Sequence, residues 1–334
     1  MSSALPAILV AALVAFVAVA LLSRWRGRGA ALDAPGHRSL HQAPTPRLGG
    51  LGIALGVVAG IAWLKLHDAH PLFLFYLAIP LFVLSLWEDF RPLPALPRLA
   101  VHALAGLSLV LSYGGANFTV LPGLSVALGW GAGVLALLAV VWMTNLYNFM
   151  DGMDGLAGSM GLIGFGSLGL ACARYGAGDL ATQAWILAGA CAGFLPWNLP
   201  RARIFMGDGG AIPLGFLAAG FALEASARGV LPLWFTALVF SPFWVDATLT
   251  LGRRLRRGER VWVAHREHHY QRWVLKGGRH GPVLLAEAGL MLACGVSGII
   301  MLDIPSAAMQ WTGLTAWGAV YTVLVWVGPS SSAR

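Results

Sequence analysis

Apolar stretches close to the length of a bilayer crossing recur from one end of this chain to the other. A spanning helix needs roughly 20 mostly apolar residues. About eleven such stretches can be marked, near 4–23, 49–66, 72–87, 99–113, 127–144, 158–173, 181–198, 211–227, 230–250, 282–302 and 313–328. Several are short for a full span, so ten crossings are also compatible. With 11% charged and 58% hydrophobic residues, an ordinary soluble domain is excluded. The expected fold is all-α: a polytopic integral membrane protein, one membrane-embedded domain over 1–334, with its active site on the cytoplasmic face. The first stretch, "ALPAILVAALVAFVAVALLS", has no basic residue before it, and Arg24, Arg26 and Arg28 follow it. That is the pattern of a retained helix with its N-terminus outside rather than a cleaved signal.

The net charge of +8 would suggest nucleic acid if the cations were scattered. They are not. With the N-terminus outside, alternating loops place all of the 22 Lys and Arg residues except Lys65, Arg174 and Arg228 on the cytoplasmic side. The positive-inside rule supports that orientation, with the C-terminus cytoplasmic if there are eleven spans. Anionic headgroups or an anionic substrate are therefore the expected partners, not nucleic acid. The acidic residues Asp33, Glu88, Asp89, Asp151, Asp154, Asp208, Asp246, Glu259 and Glu267 fall on or near the same face, and Asp68, Asp179, Glu224, Glu287 and Asp303 do not. Scattered solvation would favour neither side, so a convergent site is indicated. Cys172, Cys191 and Cys294 lie within predicted spans at no metal-binding spacing and read as core residues.

Five cytoplasmic stretches carry the chemistry. "NLYNFMDGMDGLAG" (145–158) ends an apolar run with Asn145, Asn148, Asp151 and Asp154. A capped, solvated loop would explain one Asp-Gly pair; the doubled pair beside two amides favours oxygen ligands for a hard cation such as Mg²⁺, leaving room for phosphate oxygens. "RIFMGDGGA" (203–211) sets Asp208 among glycines before an apolar helix, as a helix cap or beside backbone N–H groups able to cradle phosphate. "WEDFRPLPALPR" (87–98) brings Glu88, Asp89, Arg91 and Arg98, for which a solvated turn is a serious rival. "DAPGHRSLHQAPTPRLGG" (33–50) carries Arg38, His41 and Arg47 in a proline-rich loop, and the following "GGLGIALG" lacks the preceding strand a dinucleotide fingerprint requires. "AHREHHYQR" (264–272) clusters His265, Arg266, His268 and His269, without the ligand order of a zinc site. Metal ligands, phosphate-facing cations and a lipid-embedded scaffold on one face suit phosphoryl transfer from a soluble nucleotide to a membrane-borne acceptor. A secondary transporter is the rival class, but its charges would sit near the midplane, often in repeated halves.

In this order, over about 33–272, the five motifs resemble those of the polyprenyl-phosphate N-acetylhexosamine-1-phosphate transferases. "FWVDATLTLGRRL" with "AHREHHYQR" looks closest to the branch that initiates O-antigen. The resemblance implies transfer of a HexNAc-1-phosphate from a UDP-N-acetylhexosamine to undecaprenyl phosphate in the bacterial inner membrane, releasing UMP and requiring Mg²⁺, with Mn²⁺ an alternative ion. It implies a metal held by Asp208 and Asn148, and a catalytic set of Glu88, Asp89, Asp151 and Asp208. Asn145, Asp154, Arg98, His265, Arg266, His268, Arg38, His41 and Arg47 would contact substrate, Asp154 at the uridine. Glu88 departs from the paired aspartates of the family. A general base at Asp89 would have little to do, because a phosphate monoester with a second pKa of about 6 is already mostly dianionic at pH 7. The expectation is that Asp89 orients the metal shell or a cation, with Glu88 in support. The sugar is not fixed by the sequence, and a homodimer is compatible with it.

Overall fold

The structure, a computed structural model, describes residues 4–24, 32–33, 44–67, 73–260 and 265–327. The helices are α1 (Ala4–Leu22), α2 (Gly49–Lys65), α3 (Phe73–Phe90), α4 (Ala95–Leu111), α5 (Trp130–Met150), α6 (Leu156–Arg174), α7 (Gly178–Asn198), α8 (Asp208–Ala227), α9 (Leu233–Val239), α10 (Ser241–Arg256), α11 (His269–Leu275), α12 (His280–Leu302) and α13 (Ala307–Val327). Two short antiparallel hairpins decorate the bundle, β1 (Leu32–Asp33) with β2 (Thr45–Pro46) and β3 (Asn117–Leu121) with β4 (Leu124–Ala127). The all-α polytopic expectation holds. Each expected stretch carries a helix, but among the described residues seven are long and apolar enough to cross a membrane, or eight if a bent pair counts as one span.

That bent pair is α9 and α10, which meet at 77° inside the stretch expected to be one span. Pro242 stands in the first turn of α10 and has no N–H to continue the ladder. The Leu238 carbonyl instead accepts the Ser241 hydroxyl at 2.6 Å. Inside a bilayer a broken helix must resatisfy its backbone in this way.

In lipid, apolar helices gain little from hiding apolar surface and associate through close backbone approach at small residues. Helix α1 shows this. Its buried face is Ala7, Ala11, Ala15 and Val19, and it lies between the glycines of α2 and α7. A Cβ at Gly56 would stand 2.5 Å from the Ala11 carbonyl oxygen, and one at Gly193 would stand 2.2 Å from that of Ala12. The glycines of "GGLGIALG" thus serve helix packing. Helix α8 is buried on nearly every side, against α3, α5 and α2, as an all-round apolar helix should be. The three cysteines are buried.

The two ends of the bundle differ in charge. At the end holding the C-terminus of α8, Arg174 makes a two-pronged bond to Asp303 at 2.9 Å, and Arg228 bonds Asp179 at 2.6 Å and pairs with Glu224. Two of the three cations that broke the charge asymmetry are therefore matched by carboxylates. The opposite end collects the C-termini of α3 and α5 and the N-termini of α2, α4, α6 and α8, which carry the motifs.

Candidate active site

Asp208 opens α8, and what holds it there comes from far along the chain. The first N–H groups of a helix lack partners within it and favour negative charge. Here the Asp89 carboxylate, at the end of α3, accepts the Asp208 N–H at 3.0 Å and the Gly209 N–H at 2.9 Å. Gly207 precedes Asp208 with φ of 73°, and a Cβ on it would lie 2.4 Å from the Arg47 carbonyl and 2.8 Å from both Asp89 oxygens. Only glycine fits. The 46–50 segment is laced to the same loop: Phe205 N–H to the Pro46 carbonyl at 2.7 Å, Gly49 N–H to Phe205 at 2.9 Å, and Gly50 N–H to Met206 at 2.7 Å.

This lacing brings Arg47 to the carboxylates. Its guanidinium is 3.4 Å from Asp208 and 3.9 Å from Asp89. Burial alone would lower its pKa, but Asp208 and Asp89, together with Asp33 and Asp151, raise it overall, so it stays charged. Arg98, near the start of α4, bonds Glu88 and lies 3.7 Å from the second Asp208 oxygen. Asp208 is thus flanked by two guanidinium groups. Oε2 of Glu88 and Nε of Arg98 are buried without a hydrogen-bond partner. Asp151, the C-cap of α5, faces the same centre, with the Gly207 N–H directed at it. Burial pushes its pKa well above the usual carboxylate range, opposed by Arg47 and reinforced by Asp208 and Asp89.

The remaining expected residues separate into groups. Asn148 lies in the last turn of α5 with a half-buried side chain. Asn145 is committed within the protein: its amide donates to the Val141 carbonyl at 2.7 Å, and its oxygen lies 3.2 Å from Nδ1 of His102. Asp154 accepts the Ala202 N–H at 3.0 Å and stands 3.5 Å from Nδ1 of His280, so it fastens the 199–207 loop. The 265–271 loop docks on this region. A Cβ at Gly152 would meet the Tyr270 hydroxyl at 2.4 Å and Nε2 of Gln271 at 2.8 Å. His265 is half-buried and Arg266 exposed. His268, only 2% exposed, stands behind His265 with ring centroids 4.9 Å apart, rather than beside it at a substrate surface. Burial, then His268 and Arg254, push His265 down to about 4, so it is a neutral hydrogen-bonding group at pH 7 and not a cation. His269 turns away to the Leu324 carbonyl at 3.1 Å, so the three imidazoles do not converge as a zinc site would require. Glu267 is paired with Arg254 and Arg257. Arg38 and His41 lie outside the described residues.

Two apolar grooves flank α8. One, of about 490 Å³, runs between α5, α8, α9 and the β3–β4 hairpin, past Leu135, Ala139, Phe240 and Trp244 to Leu146, close to the motif-bearing end of α5. The other, of about 360 Å³, lies between α2, α3 and α8, from Gly209 and Gly210 to Lys65.

Comparison with known proteins bears on this geometry. The model of glycosyl transferase family 4 matches residues 71–226. The phospho-N-acetylmuramoyl-pentapeptide-transferase of Moorella thermoacetica is 30% identical over 332 residues, covering 91% of this chain and 100% of that protein. The chain belongs to this family. Similar too, at 29% identity each, are the decaprenyl-phosphate N-acetylglucosaminephosphotransferase of Mycobacterium leprae (94% of this chain, 82% of that protein) and the undecaprenyl-phosphate alpha-N-acetylglucosaminyl 1-phosphate transferase of Yersinia pestis (83% and 80%). This family 4 member carries Glu88, Asp89, Arg98, the 145–154 motif and Asp208 inside the matched region. Arg47 and the 265–271 loop lie outside it and are joined to the centre by the contacts above.

The donor set of this family 4 site fits a metal of the Mg²⁺ type only in a particular way. Among the described residues no group of three or more His, Cys, Asp or Glu side chains is placed to hold an ion, so a cage made of protein alone is not present. Mg²⁺ usually takes one or two carboxylates plus substrate phosphates, and Asp208 with the buried, unpartnered Glu88 oxygen suits that. One residue escaped the sequence reading. His102 is 2% exposed, one turn beyond Arg98 on α4, and its Nε2 is buried without a partner. The i, i+4 spacing of Arg98 and His102 was the available signal.

Proposed function

We propose that the chain transfers a HexNAc-1-phosphate from a UDP-N-acetylhexosamine to undecaprenyl phosphate at the cytoplasmic face of the bacterial inner membrane. An oxygen of the lipid phosphate attacks the donor's β-phosphorus, the bond from that phosphorus to the oxygen bridging the α-phosphorus breaks, and UMP leaves. The product is a polyprenyl diphosphate sugar that starts an envelope glycan such as O-antigen. The names of the relatives in Mycobacterium leprae and Yersinia pestis support a polyprenyl phosphate acceptor and an N-acetylglucosamine phosphate.

The observation that carries this reading is Asp208 held at the capped start of α8 between Arg47 and Arg98, with the apolar groove along α5 reaching Leu146, two residues before Asn148. The groove along α5 would take the polyprenyl tail and leave its phosphate at the centre. Arg47 and Arg98 would neutralise the phosphoryl oxygens, where electrostatic stabilisation does most of the work. Arg266 and neutral His265 would face the donor pyrophosphate. Asp208 and Asn148, with Glu88 close by, would hold Mg²⁺, which when bound supplies charge neutralisation at the transferring phosphorus. The charge asymmetry, sharpened by the pairing of Arg174 and Arg228, supports an external N-terminus.

The test is direct. Detergent-solubilised protein is supplied with undecaprenyl phosphate, Mg²⁺ and a panel of UDP-N-acetylhexosamines, and lipid product and UMP are measured. Product with at least one donor is expected, and absence of both product and UMP exchange with every donor would refute the reading.

A further inference from the structure

Asp246 has been given no role above, yet its carboxylate meets the 265–271 loop at both His268 and His269. Both of its oxygens receive the His269 N–H, at 2.9 and 2.8 Å. Oδ1 also accepts the Thr250 hydroxyl at 2.9 Å and lies 3.5 Å from Nδ1 of His268. His269 begins α11, so the carboxylate satisfies an N–H that the helix itself leaves open. It also lies against the His268 ring, whose buried Nδ1 has no hydrogen-bond partner and faces the carboxylate at 3.5 Å. That ring is held on its other side by Tyr270, centroids 5.9 Å apart and nearly parallel at 12°, and His265 rests against it. Further along α10, Arg254 and Arg257 grip Glu267. Helix α10 and its C-cap therefore hold the loop at Glu267, His268 and His269, the three residues that follow Arg266, and leave the Arg266 side chain exposed.

We propose that Asp246 is a positioning residue for the transfer reaction: through the start of α11 and the ring of His268 it sets where His265 and Arg266 stand relative to the donor phosphates. The inference rests on the reading of the 265–268 loop as phosphate-facing. A carboxylate is needed because a backbone N–H, a hydroxyl and an imidazole all approach it, and it accepts on both oxygens. Asparagine keeps one accepting oxygen and turns an NH₂ group toward one of these donors. Aspartate at this place is thus matched to the loop and not merely to the membrane core.

The experiment compares the purified full chain with Asp246→Asn, Thr250→Val, His265→Ala and the double variant Asp246→Asn/His265→Ala. It uses undecaprenyl phosphate and whichever UDP-sugar the wild type turns over. Loss of one charge-assisted hydrogen bond corresponds to a fall of roughly 10- to 100-fold. That fall is expected in kcat/KM for the donor of Asp246→Asn, with the acceptor KM within about twofold of wild type and a smaller fall in the same sense for Thr250→Val. Because Asp246 acts through His265 and its neighbour, the double variant should fall only slightly below His265→Ala, whereas independent effects would multiply. Wild-type donor kinetics in both Asp246→Asn and Thr250→Val, fully multiplying losses, or an acceptor KM that rises in parallel would each overturn the proposal. If Asp246→Asn does not accumulate as folded protein, Thr250→Val and its double variant with His265→Ala decide by the same criteria. A wild-type protein inactive with every UDP-sugar would overturn the functional reading, and this inference with it.

Discussion

Asp89→Asn distinguishes a carboxylate that takes a proton from one that holds a helix in place. In the structure Asp89 is spent on α8, receiving the N–H groups of Asp208 and Gly209 at 3.0 and 2.9 Å with its side chain 1% exposed. Hydrogen bonds to a charged acceptor contribute about 1.5–3 kcal/mol each. Asparagine can accept one of the two and opposes the other with its own NH₂, so one bond is lost and two donors face each other out of reach of water. A loss on the order of 3 kcal/mol follows, and if it is expressed in the placement of Asp208 it lowers the rate roughly a hundredfold. The deficit should be similar at every pH, because the acceptor phosphate, with a second pKa of about 6, is already about nine-tenths dianionic at pH 7. Lipid product formation is measured from pH 6 to 9, alongside the thermal unfolding midpoint in detergent, which should also drop. Activity that climbs back toward wild type as pH rises would show that Asp89 removes a proton, and the helix-holding account would be wrong.

Glu88→Asp should cost little in rate, since the side chain supports Arg98; a loss as large as that of Asp89→Asn would contradict this. Asp208→Asn should abolish turnover while leaving the unfolding midpoint near wild type, and a near-wild-type rate at low Mg²⁺ would remove Asp208 from the metal site. Gly207→Ala places a Cβ against the Arg47 carbonyl and Asp89 at a φ of 73°, so a clear drop in the unfolding midpoint is expected. His265 sits at about 4 in the folded protein against about 6.5 when unfolded. The unfolded chain then binds more protons between these values, so stability falls as pH drops through that window. His265→Gln should flatten the acid side of the unfolding curve between pH 6.5 and 4, and an unchanged slope would show that His265 is not depressed.

The helices were largely legible because an apolar run long enough for a bilayer is a local property of the chain. Their ends were less so, for identifiable reasons. The start of α4 was expected near 99, past the prolines, but Pro97 sits in its first turn, where no partner for its missing N–H is needed. The apolar stretch of α8 was marked from 211, with Asp208 before it as a candidate cap, and the helix itself begins at Asp208. The carboxylate that stabilises it from Asp208 onward is 119 residues away, and no local pattern announces such a pairing. The candidate site divides similarly. Asp208, Arg47, Arg98, Glu88 and Asp89 were named from residue type and placement, and the structure brings them together. That Asn145 is spent on His102, or that Asp154 fastens Ala202, depends on tertiary contacts that charge and spacing do not encode.

The grip of α2 and α7 on α1 has a consequence for how the protein is made. Helix α1 leaves the ribosome first, while the glycines of α7 that complete its seat are synthesised roughly 170 residues later. At about 5–20 residues per second, that is some ten to thirty seconds in which the alanine stripe of α1 faces lipid or whatever other helix passes. A second chain that has already reached α7 offers its glycines to the wrong α1. Crowded synthesis, as under strong overexpression, should therefore favour dimers that have exchanged their first helix.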